Sequence, residues 1–398
     1  MMDVEKIRAD FPILSRKITY LDNACMSLRP QCVIDALNTY YTQYSACGTR
    51  SQHRLGKKVD LEVERARGSI KKLVNARHSE EIIFLRNTTE GINLVANSIS
   101  LQAGDEVLIS DKEHNSNLIC WLKLRDEKGI KVVVTKTKKD NTFDMDDFSS
   151  KLGAKTRLVS IVHTSNLDGV TFPVKEIARA AHKAGALTLI DAAQSVPHMD
   201  VDVREIDCDF LAFSGHKMMG PSGTGVLYGK REALAGLRAY TVGGDTVKDS
   251  TIDSYVPEDL PHRFEAGLQD YAGIIGLGVA AEHLMKIGRK HVHAHEAALN
   301  TRLTAGLNGM KKIRIIGPPD ASLRGGICSF IVDGMDAHNV AGMLDSSSDI
   351  MVRSGMHCVH SWFNAHNIKG SVRASMYAYN TEQEIDALIG ALKKIAKF

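Results

Sequence analysis

Between about residues 81 and 230 the chain alternates short apolar runs with amphipathic stretches. Runs at 81–85, 106–110, 131–135, 157–163, 187–190 and 210–213 are too short for helices and predict strands. The stretches 92–98, 117–128 and 174–184 carry helical periodicity between them. The strands are continuously apolar rather than alternating, which suits a sheet covered on both faces and predicts a doubly wound α/β layer. After about residue 275 the texture changes. A helical stretch from 275 to about 309 precedes strands at 312–316 and 327–332, a helix from 337 and a terminal helix from 382, a pattern for a smaller α+β unit. The amphipathic start, 3–11, is expected to pack against one of the two units.

Length and charge narrow the classes without choosing a function. The 398 residues are enough for two domains, with 43% hydrophobic and 24% charged residues, ordinary for a soluble enzyme. A net charge of +3 gives no argument for nucleic acid or membrane partners. The apolar stretch 273–281 is far short of a membrane span, and the first residues lack the apolar core of a signal peptide. Cysteines at 25, 32, 47, 120, 208, 328 and 358 are odd in number and contain no C-x-x-C. They predict free thiols in a reducing cytoplasm.

Four polar groups follow predicted strands, where an open α/β sheet binds ligands. Arg86-Asn87-Thr88-Thr89-Glu90-Gly91 sets two hydroxyls before a helix, to hold a phosphate or simply to cap the helix. Glu113-His114-Asn115-Ser116-Asn117 offers a ring that could lie on an aromatic cofactor, or a capping segment. Asp191-Ala192-Ala193-Gln194 puts an acid just past a buried strand, costly unless it meets a cation such as a pyridinium nitrogen. Ser214-Gly215-His216-Lys217, followed by the glycine-rich 220–225, puts a lysine beside a core strand. It is a turn residue or the amine that forms a Schiff base with an aldehyde. Together the four fit one footprint, that of pyridoxal phosphate: acid for the ring nitrogen, lysine for the aldehyde, hydroxyls and a helix start for the phosphate.

These segments, with Tyr20-Leu21-Asp22-Asn23-Ala24, Asp191 to His198, Arg263-Phe264-Glu265-Ala266-Gly267 and Tyr379-Asn380-Thr381, resemble the class V aminotransferase superfamily of fold-type I pyridoxal phosphate enzymes. Within it the chain resembles cysteine desulfurases of the SufS type. The resemblance implies a large domain over 18–275 with a mainly parallel seven-stranded sheet, and a small α+β domain of 1–17 and 276–398. It makes Lys217 the aldehyde-holding lysine, His114 the ring-stacking residue that also shares proton transfer, Asp191 the partner of the ring nitrogen, and Gln194 that of the ring oxygen, with Asn166 helping to hold a cofactor oxygen. Thr89, Ser214 and His216 become phosphate ligands, with Thr88 beside them.

The C-terminal segments select the reaction. Arg353-Ser354-Gly355-Met356-His357-Cys358 matches the family's active-site cysteine segment, and Ser371-Val372-Arg373-Ala374-Ser375 its substrate arginine segment. The resemblance implies that Arg373 grips the carboxylate of L-cysteine as a fork, with Asn166, Arg50 and Arg353 as further substrate contacts. Cys358 becomes the thiolate that takes sulfur as a persulfide, its ionisation favoured by Arg353 and His357, and L-alanine leaves. A homodimer and a sulfur acceptor, either a SufE-like protein or an iron–sulfur scaffold, are also implied. Two departures stand out: Leu268 occupies a position where the family often has a threonine that reaches the neighbouring subunit's phosphate, and Met356 one that is commonly histidine. His357, Cys358 and His360 lack a distant fourth ligand, so no metal is expected there. His291 and His295 share a helix face expected to be solvated. Selenocysteine lyase, cysteine sulfinate desulfinase, a transaminase and an idle sulfur-carrying scaffold remain open as alternatives.

Overall fold

The computed structural model describes residues 2–48 and 51–397. Its larger sheet has seven strands in the spatial order Ile82–Leu85, Gly225–Gly229, Phe210–Ser214, Leu187–Asp191, Thr156–Val162, Glu106–Ser110 and Lys131–Thr135. Only Gly225–Gly229 runs against its neighbours. Successive side chains of a strand enter different clusters. Leu189 and Phe210 join the core on one side, and Ile190 and Leu211 that on the other. Burial on both faces is why these strands read as unbroken apolar runs.

Gly225–Gly229 is the sheet strand the pattern does not predict, because its leading glycine extends the glycine-rich stretch 220–225. The glycine has a packing reason: a Cβ at Gly225 would come within 2.5 Å of the Asn87 Cα. The strand thus lies directly against the start of the helix Thr88–Ser98. The helices Gln31–Gln43 and Arg54–Val74 are also unanticipated. The second is rich in charge, and its narrow apolar stripe packs on Tyr271–Ile287.

The stretch expected as one helix from 275 to 309 is two, Tyr271–Ile287 and Arg289–Asn308. Gly288 separates them at φ +87°, a left-handed conformation that glycine adopts without a Cβ clash. A second, antiparallel sheet has the order Ile313–Ile316, Ile327–Val332, Ser371–Ser375, Arg353–Gly355. Its core joins Phe330 and Val372 to Leu344 and Leu388 of flanking helices. The N-terminal segment touches both regions. Arg8 pairs with Glu384 at 2.9 Å, Phe11 packs on Tyr379, and the Asp10 carbonyl accepts from the Gln31 N–H at 2.7 Å. Among the described residues no helix is long and apolar enough to cross a membrane.

Candidate active site

The carboxyl ends of the parallel strands and the cysteine-bearing loop of the smaller sheet enclose one cavity of about 240 Å³. Thr88, Thr89, His114, Asn166, Asp191, Gln194, Ser214, His216 and Lys217 line it from the large sheet. Arg353, Cys358 and Arg373 line it from the small one. Arg50 lies outside the described residues. His295 departs from expectation: it is half-buried, and its Nε2 bonds the Asn380 carbonyl at 2.8 Å.

The hydroxyl-rich corner is built at a helix start. Asn87, not a threonine, is the N-cap, accepting from the Glu90 N–H at 3.0 Å. Both threonines are therefore in the first turn with their hydroxyls directed elsewhere. The Thr88 N–H donates to Ser214 Oγ at 2.8 Å, and the two hydroxyls meet at 2.6 Å. The Thr89 hydroxyl meets that of Ser116 at 2.6 Å. Ser116 in turn donates its backbone N–H to His114 Nδ1 at 3.1 Å, which places the imidazole hydrogen on Nε2. Burial, with Lys217 and Arg373 adding to it, lowers the His114 pKa to about 3, so the ring is neutral at pH 7.

Asp191 ends a central strand, and its Oδ1 accepts from the Ala193 N–H at 3.0 Å. Burial raises its pKa, and the nearby Lys217 ammonium opposes that rise. For Lys217 burial lowers the pKa, against the attraction of Asp191. The turn that carries the lysine is pinned by Ser27. The backbone N–H of Ser27 donates to the His216 carbonyl at 2.9 Å, and its hydroxyl accepts from the Met219 N–H at 2.7 Å. Gln194 donates Nε2 to the Ala24 carbonyl at 2.6 Å.

Cys358 is exposed on the turn after Arg353–Gly355. His357 and Cys358 both take left-handed backbone angles, φ +50° and +59°, which cost a non-glycine residue about 1–2 kcal/mol each. Clamped carbonyls hold them there. Asn166 Nδ2 donates to the His357 carbonyl at 2.6 Å and the Asn115 N–H to the Cys358 carbonyl at 2.7 Å. The cysteine turn is thus docked on the loops that carry Asn166 and His114. His357 does not supply the positive charge expected beside the thiol. Burial, then Arg373 and Arg353, lowers its pKa to about 2, and Nε2 bonds the Ser371 hydroxyl at 2.8 Å. His360 bonds Asn115 at 2.9 Å.

Two residues of the cavity had no role assigned from the sequence. Cys25 lines the cavity, and Ser116 joins Thr89 to His114. Glu265 of the Arg263–Gly267 segment is a buried anchor. Arg67 holds it as a fork at 2.8 and 3.0 Å, and it accepts from the Phe84 N–H at 2.7 Å. Burial would raise its pKa, but Arg67 outweighs burial and lowers it to about 2. A larger hollow of about 930 Å³ shares Asn87 and Thr89 with the cavity and is lined by Tyr240, Leu268 and Gln269. Leu268 is 72% exposed there, and Gln269 donates its amide hydrogens to the Ala266 and Gly267 carbonyls.

Pyridoxal phosphate fits this donor set. Gln194 Oε1, Asn166 Oδ1 and Arg373 Nε are buried without a hydrogen-bond partner among the described residues, and all three residues line the cavity. Buried polar atoms without partners are uncommon and mark where a ligand's polar groups belong. A carboxylate, a lysine amine and a hydroxyl-bearing helix start complete the set.

The model of the family described as aminotransferase class-V matches residues 19–388. A probable cysteine desulfurase of Synechocystis is 40% identical over 98% of this chain and 95% of its own length. A cysteine desulfurase from Thermococcus onnurineus superposes with a TM-score of 0.96 at 36% identity, covering 100% of this chain and 98% of that one. The cysteine desulfurase CsdA of Escherichia coli superposes with a TM-score of 0.93 at 31% identity, covering 100% and 99%. Fold, cavity and sequence together place this chain in the class-V aminotransferase family of pyridoxal phosphate enzymes.

Proposed function

We propose that this protein is a cysteine desulfurase that converts L-cysteine to L-alanine and carries the sulfur as a persulfide on Cys358. The observation that carries the reading is one cavity lined by a buried acid, a lysine, a buried arginine and an exposed thiol. Relatives at 36–40% identity bearing that name support it.

In this reading Lys217 holds the cofactor's aldehyde, Asp191 its ring nitrogen and Gln194 its ring oxygen. Thr88, Thr89, Ser214 and His216 hold its phosphate, and the neutral ring of His114 lies on its face. The bound cofactor supplies an electron sink for the α-carbon of the amino acid. Arg373 and Asn166 orient the substrate carboxylate, with Arg353 at the rim and Arg50 as a further contact. Lys217, whose pKa is lowered by burial, takes the α-proton on Nζ as a neutral amine. The Cys358 thiolate attacks the substrate sulfur, and a sulfur–sulfur bond forms as the carbon–sulfur bond breaks. The electron pair stays with the carbon, which takes a proton, and alanine leaves.

The SufS type, delivery of sulfur to iron–sulfur assembly and an acceptor of the SufE kind or a scaffold belong to the same proposal. Exposure of Cys358 on its turn supports transfer to another protein. We assign residues 18–275 to a large domain and 1–17 with 276–398 to a small one. A homodimer is supported by exposed Leu268 and Tyr240 lining the larger hollow, and a cytoplasmic location by seven unpaired cysteines. The test is incubation with L-cysteine, with alanine quantified and the persulfide trapped and located by mass spectrometry. Alanine with a persulfide at 358 is the expected result. Absence of alanine from cofactor-loaded protein would overturn the proposal.

A further inference from the structure

Cys358 is not the only thiol in the cavity. Cys25 also lines it, half-buried, on the loop that follows Thr19–Tyr20. Its position is fixed from three sides. Its own N–H donates to the Asp22 carbonyl at 3.1 Å. The Ala24 N–H donates to Ser375 Oγ at 2.9 Å, and the Ala24 carbonyl accepts from Gln194 at 2.6 Å. The Ser27 N–H then ties the loop to the lysine turn at 2.9 Å. The thiol is near both cations of the site: its charge would favour the charged forms of Lys217 and of Arg373, and Cys358 acts on Lys217 in the same way.

A ligand belongs beside it. Gln194 and Arg373 are each 3% exposed, line the cavity with Cys25, and keep Oε1 and Nε without a partner among the described residues. An amino acid whose carboxylate meets Arg373 and whose α-carbon meets Lys217 lies between the two cations, and so alongside Cys25.

We propose that Cys25 is a second sulfur-accepting thiol, which takes the outer sulfur of the Cys358 persulfide inside the cavity. The inference rests on the desulfurase reading above. The Cys25 thiolate attacks the outer sulfur, a new sulfur–sulfur bond forms as the old one breaks, and Cys358 leaves as a thiolate. The exchange is redox-neutral, so it needs no oxidant. Cys358 is then free to accept a second sulfur while the first is held in the interior.

The test uses the holoenzyme with a few equivalents of L-cysteine per protomer and no added reductant, rapid capping by an alkylating reagent, and mass spectrometry of each cysteine peptide beside an alanine count. The expected result is capped persulfide at both 358 and 25, with about two sulfurs and two alanines per protomer, falling about twofold in Cys25→Ala and Cys25→Ser. Cys32 and Cys47, exposed and outside the cavity lining, report unspecific transfer. Alanine formation with sulfur at 358 alone, or equal sulfur in wild type and both variants, would overturn the role of Cys25 and leave the desulfurase reading standing. Sulfur on Cys25 in Cys358→Ser would overturn the exchange step. No alanine from wild type would sink both.

Discussion

Lys112 and Asp168 form a fully buried ion pair, with Nζ 2.9 and 2.7 Å from the two carboxylate oxygens and 3.0 Å from the Asn141 carbonyl. Lys112 lies two residues before His114, and Asp168 two residues after Asn166. The pair therefore straps together the two loops that present these side chains to the cavity and that clamp the cysteine turn. Burial lowers the Lys112 pKa, and Asp168 opposes that shift. Removing one partner leaves the other charge buried alone, so Lys112→Met should destabilise the fold by about 3–5 kcal/mol. Lys112→Met combined with Asp168→Leu should recover most of that loss. Urea unfolding of the single and double variants measures both, and a double variant as unstable as the single would contradict the account.

Lys217→Ala removes the amine proposed to hold the cofactor and to move the α-proton. The visible absorbance of the purified enzyme should change, and alanine release should fall by about a thousandfold or more. Asp191→Asn keeps the shape but loses the charge, and should lower turnover while the lysine still binds cofactor. Spectra and alanine assays on both variants check this. Ordinary turnover in Lys217→Ala would remove the lysine from the scheme.

Arg373 donates Nη1 to the Asn166 carbonyl at 3.0 Å and Nη2 to Asp22 at 3.4 Å, while Nε has no partner among the described residues. Lysine there keeps a charge but not the planar fork. Arg373→Lys should raise KM for L-cysteine by about tenfold or more. Steady-state kinetics decide it, and an unchanged KM would mean that the carboxylate is held elsewhere.

Stability should fall on mild acidification. Burial lowers the pKa of His163 to about 4 and that of His357 to about 2, against about 6.5 in an unfolded chain. Below pH 6.5 the unfolded state binds protons that the folded state does not. The stabilisation from neutral His163 and His357 is thus complete above that pH and is lost as pH falls toward the folded values. Glu113 has the opposite sign. Burial raises it to about 7, so its contribution is present at low pH and lost as pH rises through 7. His114 and His216, also lowered by burial, act in the same direction as His163 and His357, so stability should fall between pH 7 and pH 5. Glu113→Gln should steepen the fall, and an unchanged slope in chemical denaturation would refute the balance.

The local chemistry of the site was legible because it is local. Thr88, His114, Asp191, Ser214 and Lys217 each follow an apolar run, and a strand end in an open α/β sheet is where ligands bind. The roles of Ser116 and Glu265 were not legible, since each acts only through a partner remote in sequence or through a turn geometry. The strand Gly225–Gly229 was hidden by its own glycine, whose meaning is the close approach of the Asn87 backbone. Gly288 marked no visible stop in an otherwise helical pattern, because its effect comes from one backbone angle.

Sequence alone determined the class of fold, the segments that carry reactive groups and the cofactor they suit, since period, burial and residue chemistry are written along the chain. Tertiary structure decided which of those groups meet. It brought a second thiol, Cys25, to the cavity from a loop more than 300 residues away from Cys358. It neutralised His357 by burial, and it set the cysteine turn in a left-handed path that Asn166 and Asn115 hold from the other sheet. The physical reason is common to all three: desolvation, charge proximity and carbonyl clamping depend on distances through space, which exist only once the two sheets have packed together.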